Sequence, residues 1–217
     1  MHTPTGHLTW LILAAALVWP TAPPTAQGQR NAAELADVAY RPDFTRAEMR
    51  KLEAGELVVR RADERNRTSR LTGGTSWQLI EAPTGEVWEI LIKLEHYRRI
   101  LPEVSDVRMV ENRKRERTLF IEHGSGPLSI CYYVDMKFNS DRREVSFQVD
   151  PREQCAVEEG WGFYLLRPHG KDKTVLVYGI MVDIGEGIIL SLLREEISEW
   201  MLKVPWMAKR LVESTRA

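Results

Sequence analysis

Proton transfer is the chemistry this chain has the residues to attempt. Glu122, His123, Glu158, Glu159, Asp183 and the phenols of Tyr132 and Tyr178 are the titratable groups in its patterned part. A catalytic role needs one such group in a recess and a second to orient it. Glu158 and Glu159 are neighbours, so on a strand they point to opposite faces and cannot form a carboxylate pair. His123 precedes Gly124-Ser125-Gly126, which reads as an exposed turn. Ser125 lies between two glycines, but the setting is a β-hairpin. A nucleophilic serine elbow needs a strand running into a helix. No phosphate loop and no histidine or cysteine set with metal-ligand spacing is present, so no cofactor is expected. Nothing in these residues commits the chain to a reaction.

The elements that would have to position them follow a clear order. Ile80-Glu81-Ala82-Pro83 ends a strand that opens at Ser76 and leads into a helix over Gly85–Glu95, with Val87, Ile90, Leu91 and Leu94 on one face. Val104 to Val110 forms a strand, and Arg113-Lys114-Arg115-Glu116-Arg117 reads as a hairpin tip. Ile130, Tyr132, Val134, Met136 and Phe138 then alternate with Cys131, Tyr133, Asp135 and Lys137, the pattern of a half-buried antiparallel strand. Val145, Phe147 and Val149 repeat it. Gly160 to Leu165 and Val175 to Ile184 complete the sheet. A last helix carries Ile189, Leu193, Ile197, Trp200, Val204, Met207 and Leu211 as one apolar stripe, with Pro205 placed to kink it.

Upstream, Asp43-Phe44-Thr45 offers a helix cap, Arg46 to Glu53 a short helix, and Ala54-Gly55 its stop. Val58 and Val59 begin an edge strand, residues 60 to 70 read as a charged solvated stretch, and Gly73-Gly74 reads as a break. Residues 29 to 74 are thus expected to be an arm with one short helix, ahead of a domain over 75–217. Leu8 to Trp19 is apolar and too short to cross a bilayer. With Ala26 and Gly28 behind it, the run fits a secretory signal over residues 1–28. The expected location is periplasmic or secreted, where Cys131 and Cys155 form a candidate disulfide.

The 217 residues have room for one domain of roughly 150 residues plus extensions. Hydrophobic content of 43% and charged content of 28% fit a globular protein. A net charge of −1 speaks against nucleic acid as partner.

The order Ile80-Glu81-Ala82-Pro83, Val87-Trp88, His96-Tyr97, Leu101-Pro102, Gly160-Trp161 with Leu165, Thr174 to Tyr178, and a long closing helix resembles the START/SRPBCC superfamily. It is most similar to the polyketide cyclase/dehydrase-like and coenzyme-Q-binding branch, over residues 75–212. The resemblance implies an α+β helix-grip fold, a curved antiparallel sheet wrapped around the C-terminal helix with a ligand cavity between them. Its expected lining is Tyr132, Val134, Phe147, Trp161, Phe163, Tyr178 and Ile180 from the sheet, with Leu193, Ile197 and Met201 from the helix. The expected function is non-catalytic binding or transport of a lipid, isoprenoid quinone or polyketide-like molecule, with transient membrane contact. A cyclase, aromatase or dehydratase needing an inward-facing Tyr132, Tyr178, His123 or Glu122 is one alternative. An envelope interaction module using the N-terminal arm or the 113–117 tip is the other.

Overall fold

The computed structural model describes residues 43–65, 70–124, 129–150, 157, 159–183 and 197–216. Helix α1 (Arg46–Glu53) leads into strands β1 (Val58–Arg65) and β2 (Arg70–Ile80). Helix α2 (Thr84–Leu91), a 3-10 turn at Leu94–His96 and the short helix α3 (Tyr97–Ile100) follow. Six strands come next: β3 (Val104–Arg113), β4 (Glu116–His123), β5 (Ile130–Asn139), β6 (Glu144–Val149), β7 (Glu159–His169) and β8 (Lys173–Asp183). A helical stretch over 197–202 and helix α4 (Val204–Ser214) close the described chain. All eight strands form one antiparallel sheet in the order β1-β2-β8-β7-β6-β5-β4-β3. The helix-grip architecture expected from the sequence is the one present.

Each face of the sheet has its own core. On the concave face, Ile80, Leu119, Val134, Met136, Tyr164, Leu176 and Tyr178 pack with Val87, Trp88 and Leu91 of α2 and with Val204, Ala208, Leu211 and Val212 of α4. On the convex face, Leu52 of α1 packs with Trp77, Leu79, Phe163, Leu165 and Val177. Burying a large apolar side chain contributes about 1.5–3 kcal/mol, so each cluster holds its helix to the sheet.

Helix α1 forms where its cap signal lies. Thr45 Oγ1 accepts from the Glu48 N–H at 3.2 Å while Glu48 Oε2 accepts from the Thr45 N–H at 2.8 Å, a reciprocal capping box. Glu48 also accepts from Arg60 Nε at 2.9 Å, and the Arg60 guanidinium lies over the rings of Phe44 and Trp77. These contacts fasten α1 across the sheet.

Residues 58–65 and 70–74 are therefore part of the sheet: the charged stretch is solvent-facing as expected but lies on a strand, and the break expected at Gly73-Gly74 is corrected. The charged stretch over 60–65 is the outer part of edge strand β1, paired from Val58↔Trp77 to Arg65↔Arg70. Charged side chains suit an edge strand because they deter pairing with another chain. Gly73-Gly74 does not break β2, which starts at Arg70 rather than Ser76. A Cβ at Gly73 would overlap the Ile180 carbonyl, and one at Gly74 would overlap the Arg60 carbonyl. The glycines let the neighbouring backbones close in, a strand use of glycine distinct from a turn.

The closing stripe is also interrupted. The helix over 197–202 stops at Lys203, and α4 restarts with Pro205 in its first turn, where the missing N–H leaves no bond unmade. Ile189 and Leu193 lie outside the described residues.

Candidate functional site: a cavity beneath the sheet

Between the concave face and the C-terminal helical segments lies a cavity of about 310 Å³. Strand alternation brings its wall together, because every second residue of a strand faces inward. Strand β5 contributes Ile130, Tyr132, Val134 and Met136, and β6 contributes Phe147 and Val149. Gly160, Trp161 and Tyr164 come from β7, and Tyr178, Ile180 and Val182 from β8. Ile197, Trp200, Met201 and Val204 form the helical side, and Leu101, Pro102, Glu103, His123 and Gly124 one end. The three central rings tile the sheet: Tyr164 and Tyr178 lie 4.9 Å apart, and Phe147 lies 5.6 Å from Tyr164 and 6.0 Å from Tyr178.

Of the residues named from the sequence, Tyr132, Val134, Phe147, Trp161, Tyr178, Ile180, Ile197 and Met201 border the cavity. Trp161 does so beside Gly160 while packing its side chain with Leu71 and Met181. Phe163 is a correction. It belongs to the convex cluster, over Gly179, where an added Cβ would stand 2.6 Å from the Phe163 Cζ. Its neighbour Tyr164 takes the inward place. Strand β7 is buried on both faces, so no polar alternation marked which residues point inward. Leu193 lies outside the described residues. Cys131 is disulfide-bonded, and the chain's other cysteine, Cys155, lies outside them.

His123 is the second correction. It does not sit in an exposed turn but ends β4 and borders the cavity. Its Nδ1 lies 2.7 Å from the Pro102 carbonyl oxygen and its Nε2 lies 2.9 Å from the Tyr132 hydroxyl. A carbonyl oxygen only accepts, so Nδ1 carries the proton and Nε2 accepts from Tyr132 O–H. Burial lowers the His123 pKa, against a smaller opposing effect of the Pro102 bond, and keeps the imidazole neutral. Burial raises the pKa of Tyr97, Tyr132, Tyr164 and Tyr178, and neighbouring phenols push Tyr164 and Tyr178 further. Tyr97 donates to Met136 Sδ at 3.6 Å. The cavity wall thus carries the neutral phenols of Tyr132, Tyr164 and Tyr178 and the neutral imidazole of His123, with Glu103 at the same end as His123.

The other titratable candidates go elsewhere. Asp183 is buried and accepts the Arg70 N–H at 2.8 Å, a structural bond at the sheet's end. Glu159 is exposed, Glu122 does not border the cavity, and Glu158 and Ser125 lie outside the described residues. Among the described residues no cluster of histidine, cysteine and carboxylate side chains could hold a metal ion.

The fold recurs in solved structures. An aromatase/cyclase from a Streptomyces species superposes with a TM-score of 0.57 at 13% identity, over 74% of this chain and 97% of its own. A STAR-related lipid transfer protein from Xanthomonas axonopodis gives 0.56 at 12% identity, over 71% and 98%. The chain has the START/SRPBCC helix-grip fold. Norcoclaurine synthase from Thalictrum flavum shares this START-like fold, with a TM-score of 0.52 at 13% identity over 69% and 98%. No protein-family model and no curated protein matches the chain in sequence. A cyclase, a lipid transfer protein and a synthase thus share one architecture, and what differs between such proteins lies in their sites.

Proposed function

We propose that the protein binds a hydrophobic small molecule in the cavity beneath its sheet and carries it without chemical change. The observation that carries this reading is the wall itself: a hollow of about 310 Å³ bounded almost wholly by aliphatic and aromatic side chains. Such a hollow gains free energy when an apolar molecule replaces water, and a few convergent polar groups then fix its orientation. Met136 and Met201 on opposite sides adapt to varied ligand shapes. The similarity to a lipid transfer protein supports this reading. The ligand class is a lipid, an isoprenoid quinone or a polyketide-like ring system. The apolar run over Leu8–Trp19 supports export to the cell envelope, where transient contact with a membrane would load and unload the cargo.

Native mass spectrometry of protein isolated from its own envelope, followed by lipid extraction, tests the carrier reading. A co-purifying hydrophobic molecule supports it and names the class. Empty protein that also fails to take up fatty acids or quinones overturns it.

One observation favours a second reading. The His123–Tyr132 pair places a neutral base and a phenol on the cavity wall, the parts a cyclase or dehydratase needs for proton transfer. The similarity to an aromatase/cyclase points the same way. Product formed from a co-purified ligand by wild-type protein, and lost in His123→Leu with binding retained, would establish it.

A further inference from the structure

The hydrogen-bond accounting at one end of the cavity decides what kind of polar group a ligand can bring there. His123 Nδ1–H is committed to the Pro102 carbonyl at 2.7 Å, and His123 Nε2 takes the Tyr132 O–H at 2.9 Å. Tyr132 has then spent its only proton and offers the cavity lone pairs. The phenols of Tyr164 and Tyr178 border the same cavity with their rings 4.9 Å apart, and burial keeps their O–H groups protonated. A ligand hydroxyl can satisfy both kinds of partner, donating to Tyr132 and accepting from a neighbouring phenol. A carbonyl can only accept. To bond with Tyr132 it must take the proton from His123 and leave Nε2 unpaired in an apolar wall, the situation that makes buried polar groups discriminate strongly.

We propose that the cavity selects hydrophobic alcohols and phenols over ketones and esters of the same skeleton, with Tyr132 Oη as the acceptor that His123 holds proton-poor toward the ligand. This rests on the reading of the cavity as a ligand site. Val134, Phe147 and Ile180 supply the apolar contact that both kinds of ligand share. The discrimination falls to Tyr132 alone.

The test compares fluorene, fluorenol and fluorenone, which share one skeleton, by isothermal titration of the full protein. Wild type is expected to bind fluorenol about tenfold tighter than fluorenone. In His123→Leu the Tyr132 O–H is released, fluorenone binding strengthens, and the gap closes to about twofold. In Tyr132→Phe fluorenol weakens about tenfold while fluorene is unchanged. Binding of fluorene with equal affinities for fluorenol and fluorenone overturns this inference and leaves the carrier reading standing. A preference undiminished in His123→Leu also overturns it. Failure of all three compounds to bind wild type overturns this inference, and the carrier reading falls with it only where fatty acids and quinones fail as well. The wild-type comparison stands even where a variant does not fold.

Discussion

Phe147 lies across Gly162: the two are paired in register between β6 and β7, and a methyl group added at Gly162 would stand 2.6 Å from Phe147 Cε2. The same methyl would overlap the Gly179 carbonyl, which cannot rotate away. Gly162→Ala should therefore cost about 1–3 kcal/mol of stability, at the level of an overpacked core. It should also push the Phe147 ring into the cavity and weaken ligand binding. Urea unfolding and ligand titration on one preparation check both effects, and unchanged stability would refute the close fit.

Filling the hollow should separate binding from folding. Ile180 is buried and borders the cavity. Ile180→Trp places its extra volume in open space, so stability should change by less than about 1.5 kcal/mol. Affinity for any cavity ligand should fall at least about tenfold. Retained affinity at native stability would place the ligand elsewhere.

Acid should weaken the fold through His123. Its folded pKa lies below the ordinary 6.5, so protonation favours the unfolded chain. The stabilisation is whole above pH 6.5 and is lost as the pH falls from there through the folded value. The groups it bonds, the Pro102 carbonyl and the Tyr132 phenol, are neutral; Glu103 borders the same end of the cavity, and Glu122, the neighbour of His123 on β4, does not border it. His123→Leu should flatten the pH dependence of the urea midpoint in that window. A second loss belongs to Glu48, whose pKa is lowered from 4.5 to about 2 by the bonds from Arg60 and Thr45. That contribution is present above pH 4.5 and fades as the pH falls toward 2.

Cys131 sits on β5, among the strands that wall the cavity, and is disulfide-bonded. A thiol reductant should lower stability by about 2–4 kcal/mol. Cys131→Ser should reproduce that loss and become insensitive to reductant. Equal unfolding curves with and without reductant would contradict a structural role.

Much of the cavity wall was legible because β5 and β6 alternate apolar and polar residues. Ile130 to Phe138 and Val145 to Val149 could be assigned to a face by counting, and Tyr132, Val134 and Phe147 followed. The count failed on β7, where every residue from Gly160 to Leu166, Phe163 and Tyr164 included, is buried and uncharged. His123 was missed for a different reason. Its burial depends on the Pro102 carbonyl, 21 positions earlier in the chain, and on Tyr132 on the paired strand. Local context showed only glycines around it, and glycines suggest a turn. Gly73-Gly74 misled in the same way, because a close backbone approach and a chain break look alike from one strand. The contacts that set them apart come from Ile180 and Arg60.

The positions that shape the bowl of this sheet are ones where a side chain is missing. At Gly73, Gly74, Gly162 and Gly179 a Cβ would collide with a neighbouring strand or ring. A conventional alanine scan removes atoms and reads the loss, so it is blind at these four sites. The reverse experiment, adding one carbon at a time, would map the curvature directly. A search for distant kin could weigh the spacing of such vacancies along paired strands above the identity of the residues that fill the hollow.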